Sequence, residues 1–184
     1  MGAHDAAVRA AAIGVLADEG GRGLTHRAVD RRAGLPQGTA SRYARTRAAL
    51  LTLTADALFA QDSAAAAAAL QAGAVGVRTP DDLTEALIRV VDHLRAAPDR
   101  FRARVELQLE AARIPELRRH FGQGRAAFVS ALAALLADLG VRGATDHADA
   151  LITVVDGLLH REVVLGVPPL PRERVRALLS VTSD

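Results

Sequence analysis

Along the 184-residue chain, Val, Ile, Thr and aromatic side chains never alternate with polar ones for the length of a strand, whereas Ala, Leu and Arg, all good helix formers, recur throughout. No segment carries the period of two that a half-buried strand needs, so the fold class is all-α. Apolar spacing of three and four places the helices. Val8, Ala12, Val15 and Leu16 form one face of a first helix from Asp5 to Glu19, which Gly20, Gly21 and Gly23 end. Thr25 is the expected N-cap of a short second helix closing near Ala33, Gly34 makes the turn, and Pro36 opens a third helix that runs to Tyr43.

Thr46 is placed to cap a fourth helix that continues through the alanines at 64 to 69 to about Ala72, before "GAVGVRTPDD" interrupts the pattern. Thr79 and Pro80 open a helix bearing Leu83, Leu87, Val90, Val91 and Leu94, closed by Pro98. The next carries Phe101, Val105, Leu109 and Ala112 on one face up to Pro115. Residues 116 to 122 are a short helix or the start of the following one, which bears Phe128, Leu132, Leu135, Leu136 and Leu139. A helix from Asp146 to Leu165 and a last one with Val175, Leu178 and Leu179 complete about nine helices.

Charge divides this architecture. The net charge is only +2, and the sequence pI of 10.2 reflects the lack of lysine and cysteine, which leaves almost nothing to titrate between neutrality and arginine. Residues 1 to 50 hold eight arginines against four acids, whereas residues 51 to 184 hold fifteen against seventeen. The basic excess therefore lies in the first three helices, and a boundary near residue 46 separates a basic head, 1–45, from a nearly neutral helical body, 46–184.

The head contains "LTHRAVDRRAGLPQGTASRYARTRAALL": a helix, a glycine turn and a short helix, the helix-turn-helix order whose second member enters a DNA major groove. Hydroxyls at Thr25, Thr39, Ser41 and Tyr43 suit phosphate oxygens, Arg27, Arg42, Arg45 and Arg47 supply charge, and Gln37 stands at the groove-facing start of the third helix. A helical hairpin with a solvated basic surface is the plainer reading of the same pattern. Residues 8 to 51 resemble the DNA-binding head of the tetracycline-repressor (TetR) family, with "AAAIGVLADEG", "LTHRAVDRRAG" and "LPQGTASRYARTRAALL" standing where its first four helices begin or run.

That resemblance places Arg27, Gln37 and Gly38 where family members read bases, with Arg42 grouped beside them, and Thr25, His26, Thr39, Ser41, Tyr43 and Arg47 where they hold phosphates. It also marks departures. Ser41 replaces a frequent tyrosine, Ala44 replaces a phenylalanine that anchors the recognition helix, and Asp30 replaces a small residue, with Arg31, Arg32 or Arg42 as its expected partner.

For the body, the resemblance implies a small-molecule pocket among helices four to seven and a homodimer formed by the last two long helices. The apolar circumference at Leu151, Ile152, Val154, Val155, Leu158 and Leu159 agrees with burial against a second chain. Polar or aromatic residues on apolar faces supply pocket candidates: His93, Phe101, Gln108, Phe128, Asp156 and His160. For each, a satisfied core or edge residue is the competing reading.

No metal or cofactor is expected, because His93, His120, His147 and His160 lack close metal-ligand spacing and no phosphate-binding or nucleophile motif occurs. The uncharged run from Ser63 to Val77 is too short and alanine-rich to span a bilayer, and the first residues do not read as a leader, so a soluble cytoplasmic protein is expected. The resemblance implies a ligand-responsive repressor, expected to bind a near-palindromic double-stranded DNA operator as a homodimer and to be released by a small molecule. A helical small-molecule-binding protein that has lost operator binding is the alternative, and a helical enzyme has no residue set in its favour.

Overall fold

The computed structural model describes residues 2–71 and 77–181. Among these, nine α-helices and one π-helical turn occur: α1 Ala3–Gly23, α2 His26–Ala33, α3 Ala40–Tyr43, α4 Arg47–Gln71, α5 Pro80–Arg95, α6 Pro98–Ala111, α7 Pro115–Asp138, α8 Ala144–Leu159, the π turn His160–Val164, and α9 Arg172–Leu179. The expected break between Gly73 and Gly76 lies outside the described residues. No described helix is long and apolar enough to cross a membrane.

The chain divides into two compact units, one of Met1–Gln61 with Pro98–Gln123 and one of Asp62–Ala97 with Gly124–Asp184. In the first unit, Val8, Ala12, Val15 and Leu16 of α1 are fully buried, as the apolar spacing predicts. They share a core with Val29 of α2, Leu50 and Leu51 of α4, and Ala103, Leu107 and Ala111 of α6. The buried side of α6 is thus not the expected stripe, since Leu109 is 52% exposed and Ala112 reaches solvent. Two alanines flanking one leucine let α6 approach α1 closely, and this packing outweighs the bulkier stripe on the opposite side.

Where α1 was expected to stop, it breaks and resumes: Gly20 takes φ 69° and ψ −177° inside it. The break is tied to α6 and α4. Gly21 N–H donates to Glu106 Oε2 at 2.9 Å, and Arg47 Nη2 donates to Gly21 O at 2.5 Å and to Glu110 Oε1 at 3.2 Å.

In the second unit, α5 opens with a reciprocal cap. Asp82 N–H donates to Thr79 Oγ1 at 3.1 Å, Thr79 N–H returns a bond to Asp82 Oδ2 at 2.9 Å, and Pro80 occupies the first turn. The hydrogen bond with Thr79, followed by the Arg78 amide, holds the Asp82 carboxyl below its ordinary value. Its contribution is therefore present above the usual carboxylate range and lost as pH falls through the lowered value. Thr79→Ala should cost about 1 kcal/mol at neutral pH, and acid titration of the variant's melting temperature should show a weaker dependence than the parent's.

The α5 face bearing Leu83, Leu87, Val91 and Leu94 is buried and packs against α8 and α9. Thr84 Oγ1 donates to Pro80 O and accepts from Val181 N–H, while Arg172 and Arg176 reach Glu85 and Asp81 from α9. On α9, Val175 and Leu179 are buried, but Leu178 faces solvent against expectation.

Residues 115 to 138 form one continuous helix, so the segment at 116 to 122 is its start. The helix expected to run as one α-helix to Leu165 changes at His160, where Leu165 N–H bonds His160 O across five residues. Beside it Arg95 grips Glu162 in a fork, both nitrogen-oxygen distances 2.8 Å, with the Glu162 side chain 5% exposed. That bond pushes the Arg95 pKa up.

Candidate nucleic-acid interface

The helix-turn-helix is built from local chemistry. Thr25 adopts extended backbone and its Oγ1 accepts Ala28 N–H at 3.1 Å, capping α2. Gly34 takes the left-handed conformation that ends α2, with Gly34 N–H bonded to Arg31 O and Leu35 N–H to Asp30 O. The next turn differs from expectation. Thr39 N–H donates to Pro36 O at 3.2 Å and Gly38 has φ 92°, a type II arrangement that no right-handed helix can contain. The third helix therefore begins at Ala40, and Gln37 sits in the turn that precedes it.

Asp30 explains the shift. Its carboxylate, on a residue 2% exposed, accepts Gly38 N–H through Oδ2 and Ala40 N–H through Oδ1, both at 2.7 Å. The expected arginine partners are occupied elsewhere or solvated: Arg31 bonds Glu19, Arg32 bonds Asp18, and Arg42 is exposed. Ala44 is buried, and its carbonyl accepts from His26 Nε2 at 2.6 Å, which ties the end of α3 to the start of α2. A small residue here is accommodated by helix contact and a hydrogen bond where an aromatic anchor was expected.

The surface left by these bonds is polar. Thr25, Arg27, Gln37, Gly38, Arg42, Tyr43, Arg45 and Arg47 are exposed, and His26, Thr39 and Ser41 are half-buried. Thr39 Oγ1 is committed to Pro36 O at 2.6 Å. Among the described residues Arg27, Arg42 and Arg45 make no ion pair, whereas Arg47 is engaged by Gly21 and Glu110. These three guanidinium groups of the helix-turn-helix segment are thus uncompensated. The residues that sequence reasoning missed are Glu106 and Glu110, because their bonds to Gly21 and Arg47 join positions more than sixty residues apart and leave no local pattern.

The pocket candidates are placed less uniformly. Phe101 is buried in α6, with the Arg104 guanidinium 5.8 Å from its ring centre. Phe128 and Asp156 are half-buried, and Asp156 Oδ2 lies 3.4 Å from Arg125 Nη1 of the same chain. His93, Gln108 and His160, expected on apolar faces, are exposed. Alanine makes several faces of each helix apolar, so a polar residue between two of them does not by itself mark the interior.

An all-α chain presenting an exposed basic helix-turn-helix in its first unit has the architecture of a transcriptional regulator. Residues 78–182 match the family described as "Tetracyclin repressor-like, C-terminal domain", over half of the chain, and the protein belongs to the tetracycline-repressor (TetR) family of transcriptional regulators. No curated protein matches the sequence significantly.

Solved structures resemble it along nearly the whole chain. A transcriptional regulator from Rhodococcus sp. Rha1 gives a TM-score of 0.76 at 22% identity, covering 95% of this chain and 91% of that one, a likeness of fold. A member of the TetR family from Streptomyces coelicolor A3 gives 0.73 at 26% identity, with 97% and 96% covered. The multidrug binding protein EbrR complexed with ethidium gives 0.69 at 26% identity, with 96% of each chain covered.

Proposed function

We propose that this TetR-family regulator is a homodimeric repressor that binds a near-palindromic operator and is released from it by a small molecule. Residues 1–45 supply the DNA-binding part and residues 46–184 the effector-binding and dimerising part. The observation that carries the reading is the exposure of Arg27 on α2, Gln37 in the turn, and Arg42 and Arg45 in and just after α3, while the Gly38 and Ala40 amides are already bonded to Asp30. Polar side chains are left free to meet bases and phosphates. Arg27, Gln37, Gly38 and Arg42 take the base-reading role; Thr25, His26, Thr39, Ser41, Tyr43 and Arg47 hold phosphates. The likeness to EbrR, solved with ethidium, supports a small organic effector.

Selection of duplexes from a random pool by the purified protein tests the reading. A two-fold-related consensus is expected, and recovery of no consensus would remove the operator from the account. The alternative, a binding protein that has lost DNA recognition, loses support from the fixed position of Ala44. Substituting Arg27 or Gln37 by alanine should relax preference at one position of each half-site, costing about 1–3 kcal/mol in discrimination. Competition anisotropy against single-base variants of the selected duplex measures that loss.

A further inference from the structure

We infer that Asp30 is a positioning residue for base reading: its buried carboxylate sets the register of the Pro36–Thr39 turn, and with it Gln37 and α3, against α2. The inference rests on the DNA-binding reading above. Three observations converge on it. The two carboxylate oxygens each take one amide, Gly38 N–H and Ala40 N–H, at 2.7 Å, on either side of Thr39. The carboxylate is shielded from solvent, and the neighbouring cations Arg31 and Arg32 are bonded to Glu19 and Asp18 and not to it. The turn it holds contains Gly38 at φ 92°, a conformation that a free segment would leave readily.

These bonds are not needed to finish α2, whose end is already closed by the Gly34 and Leu35 amides. Nor does α3 have the length to hold itself, at four residues. What the carboxylate adds is a fixed relation between Arg27 on α2 and Gln37 in the turn, the two side chains assigned to bases. The attraction between arginine and phosphate tolerates a shifted turn, because charge acts at a distance. A base-edge hydrogen bond does not. Loss of Asp30 should therefore damage selectivity and spare general DNA affinity.

Asparagine keeps the shape of the side chain but offers one acceptor and turns an amide toward the second N–H. In Asp30→Asn the ratio of affinities for the selected duplex and a scrambled duplex should fall at least about fivefold. Affinity for the scrambled duplex and its salt slope should stay at parental values. Amide hydrogen exchange in the full-length protein supplies the structural readout: Gly38 and Ala40 should lose protection, with the α4 amides unchanged. Asp30→Ala, which suits a helix interior, should behave alike and replaces the asparagine variant if that one does not fold. Retained selectivity together with lost protection would overturn the inference while leaving the regulator reading intact, and unchanged protection would overturn the geometry behind it. If the parent protein selects no duplex at all, both readings fall together.

Discussion

Raising monovalent salt from about 50 mM to about 200 mM should weaken operator binding roughly a thousandfold or more. The magnitude follows from the charges that the fold leaves uncompensated. Of the eight arginines in the first fifty residues, Arg9, Arg31, Arg32 and Arg47 are paired with Asp5, Glu19, Asp18 and Glu110. Arg22, Arg27, Arg42 and Arg45 make no ion pair among the described residues, and the last three belong to the helix-turn-helix segment. A dimer would present these three twice. A cation held in the groove displaces counterions whether its hydrogen bonds go to a base edge or to a phosphate, so each of the six counts about −0.9 toward the slope of log affinity against log salt, which predicts a slope near −5 and a loss of about 10³ over that fourfold range. If Arg47 leaves Glu110 for phosphate, the slope steepens toward −7. Anisotropy titrations of the selected duplex at four salt concentrations measure it, and a slope near zero would sink the placement of these arginines against DNA.

How much of this was legible beforehand depends on how local the governing interaction is. The all-α class was readable because Ala, Leu and Arg exclude a strand period everywhere. The caps at Thr25 and Thr79 were readable because each satisfies an amide only three residues away. The start of α3 was not. Pro36 suits a helix N-terminus by local rules, but Asp30, on another helix, captures the Gly38 and Ala40 amides and leaves Pro36 to Thr39 as a turn. Asp30 stood out in the sequence as unusual; its partners did not, since backbone amides carry no sequence signature. The π turn at His160 and the bonds of Glu106 and Glu110 were hidden for the same reason.

The helix faces show a second limit. On α6, Phe101, Val105 and Leu109 make a better apolar stripe than Ala103, Leu107 and Ala111, yet the whole second set is buried and only Phe101 of the first. In a chain this rich in alanine, hydrophobic pattern leaves two faces nearly equal, and close approach of backbones decides between them. The same ambiguity placed Gln108 and His93 on faces that prove exposed. Arg27, Gln37, Arg42 and Arg45 are exposed as expected, because the exposure of polar groups at and beside a turn does not depend on which of two apolar faces turns inward.

Leu107→Ala should destabilise the protein by about 2–5 kcal/mol, whereas Leu109→Ala, two residues away on the same helix, should stay within about 0.5 kcal/mol of the parent. Leu107 is fully buried in the first unit's core between Ala103 and Ala111, and both neighbours are too small to fill the space it would vacate. Leu109 is more than half exposed and leaves no cavity. Chemical denaturation followed by far-UV circular dichroism gives both values, at one fixed protein concentration because a dimer's stability depends on it. Because α6 packs on α1, and Glu106 and Glu110 reach Gly21 and Arg47 from the same helix, the cavity should also loosen the break in α1. Amides near Gly21 should exchange faster in Leu107→Ala, and an unchanged rate there would mean that these bonds hold the break independently of Leu107.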